Sequence, residues 1–312
     1  MNCTGRYAPS PTGPLHLGNL RTALLAWLLA RSQDAPFLMR IEDLDRQRSR
    51  AAHESGQLED LRALGLDWDD EGSEMRQSER DEAYAGAVAG LRDDGLIYEC
   101  FCTRTEIRQA ASAPHGELPE GAYPGTCREL SAAERSERER SGRPAALRVR
   151  AGAPRVGFED RLYGDHAAVV DDFVVRRNDG TYGYNLAVVV DDAAQGIGEV
   201  ARGRDLLDST PRQIWLAERL GLPPMASWAH LPLVLGSDGE RLAKRHGSVT
   251  LADQRRAGRE PAAVRAALAA SVGLCEPDER PGAEALISRF DPSAVPLQDG
   301  PLPGIETTPP AG

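Results

Sequence analysis

The amino-acid sequence predicts an α/β fold in which a parallel sheet is interrupted by a smaller α+β insertion. Residues 4–43 have the order strand, Gly-containing loop, helix, strand, which is that of a parallel α/β unit. This alternation breaks down from Tyr98 to about Asn178, and Ala-rich helices follow between Thr250 and Gly273. A chain of 312 residues with 41% hydrophobic content can form one large or two ordinary domains.

The first unit consists of a strand at 4–8, a helix at 19–32 and a strand at 36–43. Two further helices are expected around 54–64 and 79–94. Because a helix connects the first two strands, we expect them to pair in parallel.

The insertion carries cap and turn signals of its own. The capping box "SAAE" at 131–134 begins a charged helix. The stretch "VVDDFVVRRNDGTYGYNLAVVVDD" predicts two strands joined by a turn at 178–180, so this part should be antiparallel. Beyond it, "DLLDSTPRQIWLAERLGL" predicts a helix that begins at Asp208 or Ser209 and ends at Gly221.

The composition excludes some classes of function. With 37 basic and 48 acidic side chains, the formal charge of −11 argues against a nonspecific nucleic-acid coat but allows a local basic face. The longest strongly apolar run, residues 23–30, is far shorter than the roughly 20 residues that span a bilayer. We therefore expect a cytoplasmic protein with no membrane partner.

The Pro- and Gly-rich loop "RYAPSPTGPLHLGNL" at 6–20 is the first candidate site. A helix N-terminus offers unpaired backbone N–H groups, and small residues before it let a phosphate approach. His16 and Asn19 lie where they could add donors to that phosphate. The alternative is an ordinary tight turn between a strand and a helix.

The basic loop "RLAKRHG" at 241–247 is the second candidate, because it directly follows an apolar strand. Lysine supplies a mobile point charge that can follow phosphates as negative charge develops. An isolated run of charges is otherwise a solvated surface loop.

Three of the five cysteines form a possible metal site. Cys100, Cys102 and Cys127 supply three tetrahedral zinc positions, which fits a reducing compartment better than a disulfide framework. Either Tyr123 or His115 would be the fourth ligand. The alternative is that the three thiols are free.

Four charged or polar residues, Arg6, Glu42, Tyr184 and Arg202, lie at predicted strand ends or in the loops that follow strands. A zwitterionic amino acid needs an anion near its ammonium group and cations near its carboxylates. These residues supply both charges, although either arginine could instead form an ordinary surface ion pair.

Five motifs in the right order, "PSPTGPLHLGN", "RIEDLD", "YNLAVVVDD", "VARGRDLLDSTPRQ" and "RLAKR", closely resemble the catalytic core of glutamate-type class I aminoacyl-tRNA synthetases. The resemblance extends from about Arg6 to about Thr250 and implies a Rossmann-type sheet. The first loop is similar to the HIGH-type signature, which binds ATP, with His16 and Asn19 in the places of its two histidines. Gly18 belongs to the implied ATP-binding set.

The basic loop is similar to the KMSKS-type signature. Lys244 matches its second lysine, which is expected on the ATP phosphates, so the implied catalytic residues are His16, Asn19 and Lys244. Arg241 replaces the first lysine and Ala243 replaces the serine. We expect the lost serine hydroxyl to affect the rate more than the activity itself.

The resemblance also implies which residues hold L-glutamate. Glu42 would pair with the substrate ammonium, and the guanidiniums would fork onto its carboxylates. A glutamine substrate would leave charge unpaired in such a pocket. The implied set is Arg6, Tyr7, Ala8, Pro9, Ser10, Glu42, Tyr184 and Arg202.

Only 65 residues follow Gly247, too few for an anticodon-reading region of roughly 100 residues or more, so we expect no anticodon-binding domain. A stand-alone core with a Cys-x-Cys, Tyr-x3-Cys zinc site resembles the glutamyl-Q tRNA(Asp) synthetase family. Its members activate glutamate with ATP and Mg²⁺ and no tRNA, then esterify it to queuosine in the anticodon loop of tRNA(Asp). The implied ligands of one structural zinc ion are Cys100, Cys102, Tyr123 and Cys127, with His115 as an alternative to Tyr123.

Two alternatives stay open, and a monomer is expected in each case. A shortened glutamyl-tRNA synthetase that charges the 3′ end of tRNA(Glu) would share every pocket residue. A catalytically silent homologue that binds RNA or ATP would fit the altered basic signature. The predicted domains are the Rossmann catalytic domain in two halves (1–97 and 182–247), the zinc-binding insertion (98–181), a C-terminal helical part (248–294) and a disordered Pro-rich tail (295–312).

Overall fold

The computed structural model describes residues 4–103, 105–107, 122–236, 249–276, 278–302 and 305. The helices are α1 Leu17–Arg31, α2 Ala51–Ala63, α3 Asp81–Asp93, and then Ala132–Arg140, Tyr184–Ala194, Thr210–Arg219, Leu251–Arg256, Pro261–Ala270 and Ala283–Ile287. The strands are β1 Gly5–Tyr7, β2 Phe37–Ile41, β3 Met75–Arg76, β4 Ile97–Cys100, β5 Ala146–Val149, β6 Arg155–Asp160, β7 Gly164–Val169, β8 Val174–Arg176, β9 Glu199–Gly203 and β10 Ser227–Leu231. Among the described residues, no helix combines the length and apolarity needed to cross a bilayer.

A Rossmann-type layer forms the centre of the molecule. Strands β1, β2 and β3 pair in parallel, which confirms the predicted first unit. Strand β10 pairs in parallel with β9 and β6, and β7 adds an antiparallel edge. The backbone N–H groups of Gly198 and Glu199 donate to the Thr4 carbonyl at 2.9 and 3.1 Å, so β9 lies beside β1. The strand order across this layer is therefore β3-β2-β1-β9-β10-β6-β7.

Helix α1 is the central helix of the core. Its residues Leu20, Leu24, Trp27 and Leu28 are buried, as their spacing predicts, but so are most of their neighbours. A helix that is apolar on nearly all sides must be covered on nearly all sides. It begins at Leu17, two residues earlier than predicted, because the residue before it caps the first turn.

The insertion contains the antiparallel sheet β4-β5-β8, and the helix Ala132–Arg140 begins at the predicted capping box. The second strand predicted after the 178–180 turn is wrong, because Tyr184–Ala194 is a helix. A Cβ at Gly183 would lie 2.4 Å from the Val174 carbonyl oxygen, so only glycine lets this helix begin so close to β8. Burial of Leu186 and its neighbours in the core then outweighs the β propensity of the three valines.

The C-terminal part begins with two helices, Leu251–Arg256 and Pro261–Ala270, where one or two Ala-rich helices were predicted. The prediction of disorder from residue 295 is wrong for 295–302. Val295 and Leu302 are buried, and the Asp299 carboxylate accepts from the Leu233 N–H at 2.6 Å. Apolar residues spaced between prolines pack on the core without any helical or strand periodicity, which is why sequence patterning did not reveal them.

Candidate functional site

A cavity of about 580 Å³ lies at the carboxyl end of β1 and the N-terminus of α1. This is the edge at which open α/β sheets bind their ligands. The predicted residues that line it are Tyr7, Ala8, Pro9, Ser10, His16, Gly18 and Asn19. A larger cavity of about 930 Å³, at the amino ends of β9 and β10, contains none of the predicted site residues.

His16 and Asn19 cap α1 reciprocally. The Asn19 N–H donates to His16 Nδ1 at 3.2 Å, and the His16 N–H donates to Asn19 Oδ1 at 3.3 Å. Because Nδ1 accepts, the proton of the neutral imidazole is on Nε2, and the Asn19 amide keeps its NH₂ group as a donor. A Cβ at Gly18 would lie 3.0 Å from His16 Nδ1, so glycine makes room for this arrangement. Both side chains can therefore present donors to a phosphate.

The loop before α1 is held by a residue that the sequence did not suggest. Gln57 in α2 is buried, and its Nε2 donates to the carbonyls of Ser10 and Gly13 at 3.0 and 2.7 Å. A lone glutamine on a helix gives no sequence signal for such a role. It fixes the backbone that lines the cavity.

The basic loop with Arg241, Ala243 and Lys244 lies outside the described residues. The described residues before and after it lie near α1. Val234 lines the cavity, and the Val249 carbonyl accepts from the first N–H of α1 at 3.0 Å.

The predicted glutamate residues Arg6 and Glu42 share a buried ion-pair network with two residues that were not predicted. Asp192 lies 3.2 Å from Arg6 Nε and 2.6 Å from Arg40 NH1. Arg40 also lies 3.5 Å from Glu42 Oε1. Each carboxylate in this network therefore has a guanidinium beside it.

The charges in this network perturb one another. Burial raises the pKa of Glu42, and the nearby Arg40 and Arg6 offset only part of that effect. Desolvation and the Glu42 carboxylate also raise the pKa of Tyr184, although 37% of this residue is exposed to solvent. Asp192 differs, because Arg40 and Arg6 outweigh its burial and hold its pKa below the usual range. The group is therefore electrostatically coupled.

Arg202 is held in a different way from Arg6. Its Nε, NH1 and NH2 atoms donate to His230 Nε2, Gln213 Oε1 and Thr210 Oγ1 at 3.1, 2.7 and 2.7 Å. None of the carboxylates in the described ranges forms an ion pair with Arg202. His230, Gln213 and Thr210 are uncharged partners, so this buried guanidinium can attract an anionic ligand.

The three predicted cysteines meet in a cluster. The Sγ atoms of Cys100, Cys102 and Cys127 lie within 4.8 Å of one another, and those of Cys102 and Cys127 are 3.5 Å apart. In a tetrahedral site with Zn–S bonds of about 2.3 Å, neighbouring sulfurs are about 3.8 Å apart. The cluster can therefore hold a metal ion with little rearrangement.

Tyr123 supplies a fourth donor to this cluster. Its hydroxyl oxygen lies 3.4 Å from Cys100 Sγ and 3.6 Å from Cys102 Sγ. A hydrogen bond between Cys100 and Cys127 couples the two thiols, lowering the pKa of Cys127 and raising the pKa of Cys100. His115 lies outside the described residues.

The family described as tRNA synthetases class I (E and Q), catalytic domain, matches residues 2–277 of this chain. The chain belongs to this family. It is therefore a ligase of the aminoacyl-tRNA synthetase type, and relatives at 42–60% identity are named Glutamyl-Q tRNA(Asp) synthetase.

Two relatives and one solved structure illustrate what this synthetase is similar to. A relative from Nocardia farcinica, named Glutamyl-Q tRNA(Asp) synthetase, is 60% identical over 94% of this chain and 91% of its own length. A relative from Acidithiobacillus ferrooxidans, named Glutamate--tRNA ligase 2, is 44% identical over 86% of this chain and 58% of its own length. The structure of a glutamate tRNA ligase from Elizabethkingia meningosepticum in complex with its amino acid matches with a TM-score of 0.78 and 27% identity, over 99% of this chain and 68% of that chain.

The site of the synthetase includes residues that sequence reasoning missed. Arg40 and Asp192 stand within the motifs "RIEDLD" and "YNLAVVVDD", where a charge beside a run of apolar residues was the available signal. Thr210 and Gln213 belong to "STPRQ" but carry no such signal. His230 follows an apolar strand position and shows its role only through its neighbours in space.

Proposed function

We propose that this synthetase activates L-glutamate with ATP, without tRNA, and transfers it to queuosine in the anticodon loop of tRNA(Asp). The observation that carries the proposal is its 60% identity to the Nocardia farcinica relative of that name, over 91% of that relative's length. The buried guanidiniums of Arg6 and Arg202 support glutamate as the amino acid.

In the first step the α-carboxylate of glutamate attacks the α-phosphorus of ATP, which is bound as its Mg²⁺ complex. The P–O bond to pyrophosphate breaks, and glutamyl-adenylate forms. The protein positions the reactants and stabilises the charge that develops on the phosphates. His16 Nε2–H, the Asn19 amide and the N-terminus of α1 would donate to the phosphates, and Lys244 would follow them as a mobile cation.

Glutamate would be selected by charge. Its ammonium group would pair with Glu42, and its carboxylates would take the donors of Arg6 and Arg202. None of the carboxylates in the described ranges forms an ion pair with Arg202, so a substrate carboxylate could pair with its guanidinium. The neutral amide of glutamine would leave such a guanidinium buried without an anionic partner, which is unfavourable.

In the second step a hydroxyl of the queuosine cyclopentene ring attacks the activated carbonyl, and AMP leaves. The Cys100, Cys102, Cys127 and Tyr123 donors would hold one zinc ion, a structural ion that stabilises the fold of the insertion. We propose a monomer as the active form.

A second candidate function is charging of the 3′ end of tRNA(Glu). The observation in its favour is the 44% identity to the Acidithiobacillus ferrooxidans ligase, although the chain covers only 58% of that protein. Both functions need the same activation step, so only the position of the ester distinguishes them.

The deciding experiment uses labelled glutamate with tRNA from queuosine-containing cells and from cells that lack queuosine. After the reaction, nuclease digestion separates the anticodon-loop fragment from the 3′-terminal fragment. Label in the anticodon fragment of queuosine-containing tRNA alone is the expected result. Label in the 3′ fragment of both tRNA pools would instead establish 3′-end charging.

A further inference from the structure

Arg202 is a substrate-binding residue whose side chain is almost fully constrained. Three of its five N–H donors are used by His230, Gln213 and Thr210. Two N–H donors therefore remain for the Tyr184 hydroxyl and the substrate. A small rotation of the guanidinium would move these donors away from a carboxylate.

His230 contacts the Nε of this guanidinium from the neighbouring strand. It is fully buried, and its position on β10 is the register partner of Arg202 on β9. Its other ring nitrogen, Nδ1, lies 2.6 Å from Asp160 Oδ2. A carboxylate at Nδ1 fixes the proton there, so Nε2 is an acceptor for Arg202.

Asp160 is itself held in place at the end of β6. Its Oδ1 accepts from the backbone N–H groups of Leu162 and Tyr163, each at 3.0 Å. Its Oδ2 accepts from the His230 N–H at 3.1 Å. The carboxylate is thus a fixed point from which the imidazole is oriented.

Trp228 lies beside both His230 and Arg202. Its ring is nearly parallel to the His230 ring, with an interplanar angle of 10°, and the Arg202 guanidinium lies 5.2 Å from the Trp228 ring centroid. A stacked aromatic surface limits the guanidinium to one plane. The hydrogen bond to His230 then sets its rotation within that plane.

We infer that Asp160 and His230 are positioning residues that aim the Arg202 guanidinium at a carboxylate of the bound glutamate. The inference rests on the proposed activation of glutamate. Neither residue lines the ATP cavity, so their loss should weaken binding of glutamate and leave binding of ATP unchanged.

The test measures glutamate-dependent ATP–pyrophosphate exchange for His230→Leu, His230→Gln and a matched surface control, Asp165→Asn on the exposed part of β7. Leucine removes both ring nitrogens, whereas a glutamine amide oxygen can replace Nε2 as the acceptor. We expect His230→Leu to raise the KM for glutamate about tenfold or more, the cost of losing a hydrogen bond to a charged group. The KM for ATP should change less than about twofold, and His230→Gln should restore most of the glutamate affinity.

Equal glutamate KM values for His230→Leu and the wild type would overturn the inference, and so would an equal rise of the ATP and glutamate KM values. If His230→Leu does not fold, as measured by thermal unfolding, then His230→Gln and Asp160→Asn decide. The inference is supported if the glutamate KM of His230→Gln stays within about twofold of wild type and that of Asp160→Asn rises about tenfold. The opposite order of the two KM values overturns it. A wild-type enzyme without any glutamate-dependent exchange would instead refute the proposed function.

Discussion

The glutamate pocket and the cysteine cluster are two candidate sites built in opposite ways. Arg6 and Asp192 are 186 positions apart in the sequence and meet only because the parallel sheet brings β1 beside the helix Tyr184–Ala194. The cluster, in contrast, takes all of its described donors from residues 100–127. Spacing alone therefore predicts the cluster, whereas the fold is needed to find the partners in the pocket.

The two sites also differ in what their charges do. In the pocket, buried guanidiniums and carboxylates hold one another and leave a charge for the substrate, so a change there should alter activity. In the cluster, thiols converge on a point enclosed by the insertion, so a change there should alter stability. The Asp171 carboxylate links the insertion to the helix Thr210–Arg219, because it accepts from the Tyr123 N–H at 3.4 Å and from Arg212 Nε at 2.6 Å.

The largest expected effect is on the phosphate side of the pocket. Lys244→Ala should lower ATP–pyrophosphate exchange by about 10²-fold or more, because it removes one donor to the transition state. Steady-state ATP–pyrophosphate exchange with purified protein measures this. Exchange at the wild-type rate would remove Lys244 from the mechanism. It would also weaken the contrast between a pocket whose changes alter activity and a cluster whose changes alter stability.

A tenfold-scale effect should come from protonation of Glu42. Burial raises the pKa of this carboxyl, with Arg40 and Arg6 opposing the shift. Only the ionised form can pair with the substrate ammonium, so the KM for glutamate should rise as pH falls through the raised pKa, by about tenfold per pH unit below it. In Glu42→Gln the KM should be high at every pH. A pH-dependent KM that persists in this variant would assign the titration to another group.

A smaller effect on activity is expected from the cluster. Cys127→Ser, or removal of bound metal with a chelator, should lower the thermal unfolding temperature while the KM for glutamate changes by less than about threefold. The reason is that a structural metal site contributes to folding, and the cluster's described donors, within residues 100–127, include none of the predicted glutamate-binding residues. Loss of exchange in a variant whose circular dichroism is unchanged would break the contrast between the two sites.

The smallest effect is expected from the C-terminal segment. Asp299 accepts from the Leu233 N–H and pairs with Arg204 at 3.1 Å, so Asp299→Ala leaves a donor without its partner. We expect a loss of about 1–2 kcal/mol in the free energy of unfolding in urea. The exposed cap Asp291→Ala is the matched control and should change stability less. Equal losses of unfolding free energy in the two variants would mean that the contact of Asp299 with Leu233, which lines the cavity, does not stabilise the protein.

Much of the fold could be predicted because its signals are local. The first strand–helix–strand unit, the capping box at 131–134 and the Ala-rich helices each follow from periodicity or cap chemistry. The helix Tyr184–Ala194 was predicted as a strand because three successive valines favour strands, and only tertiary packing overrides them. The packed segment 295–302 has no periodicity to detect, and the domain limits stay predictions.

The candidate site divides in the same way. Residues with a motif or a chemical spacing, such as His16, Glu42 and Cys100, were available from the sequence. Arg40 acts through Asp192 on a helix and His230 through Asp160 on another strand, and the separation of 70 positions between His230 and Asp160 has no counterpart in any sequence pattern. Long-range hydrogen bonds of this kind become visible only when the strands are in register.

The central claim is that the pocket around Arg6, Glu42, Tyr184 and Arg202 activates glutamate by itself. The most direct test is ATP–pyrophosphate exchange by the wild-type enzyme without tRNA, with glutamate and glutamine compared side by side. We expect exchange with glutamate and at least about 10²-fold less with glutamine, because a neutral side-chain amide would leave a guanidinium of the pocket without its carboxylate partner. Exchange that requires tRNA, or equal exchange with both amino acids, would contradict it.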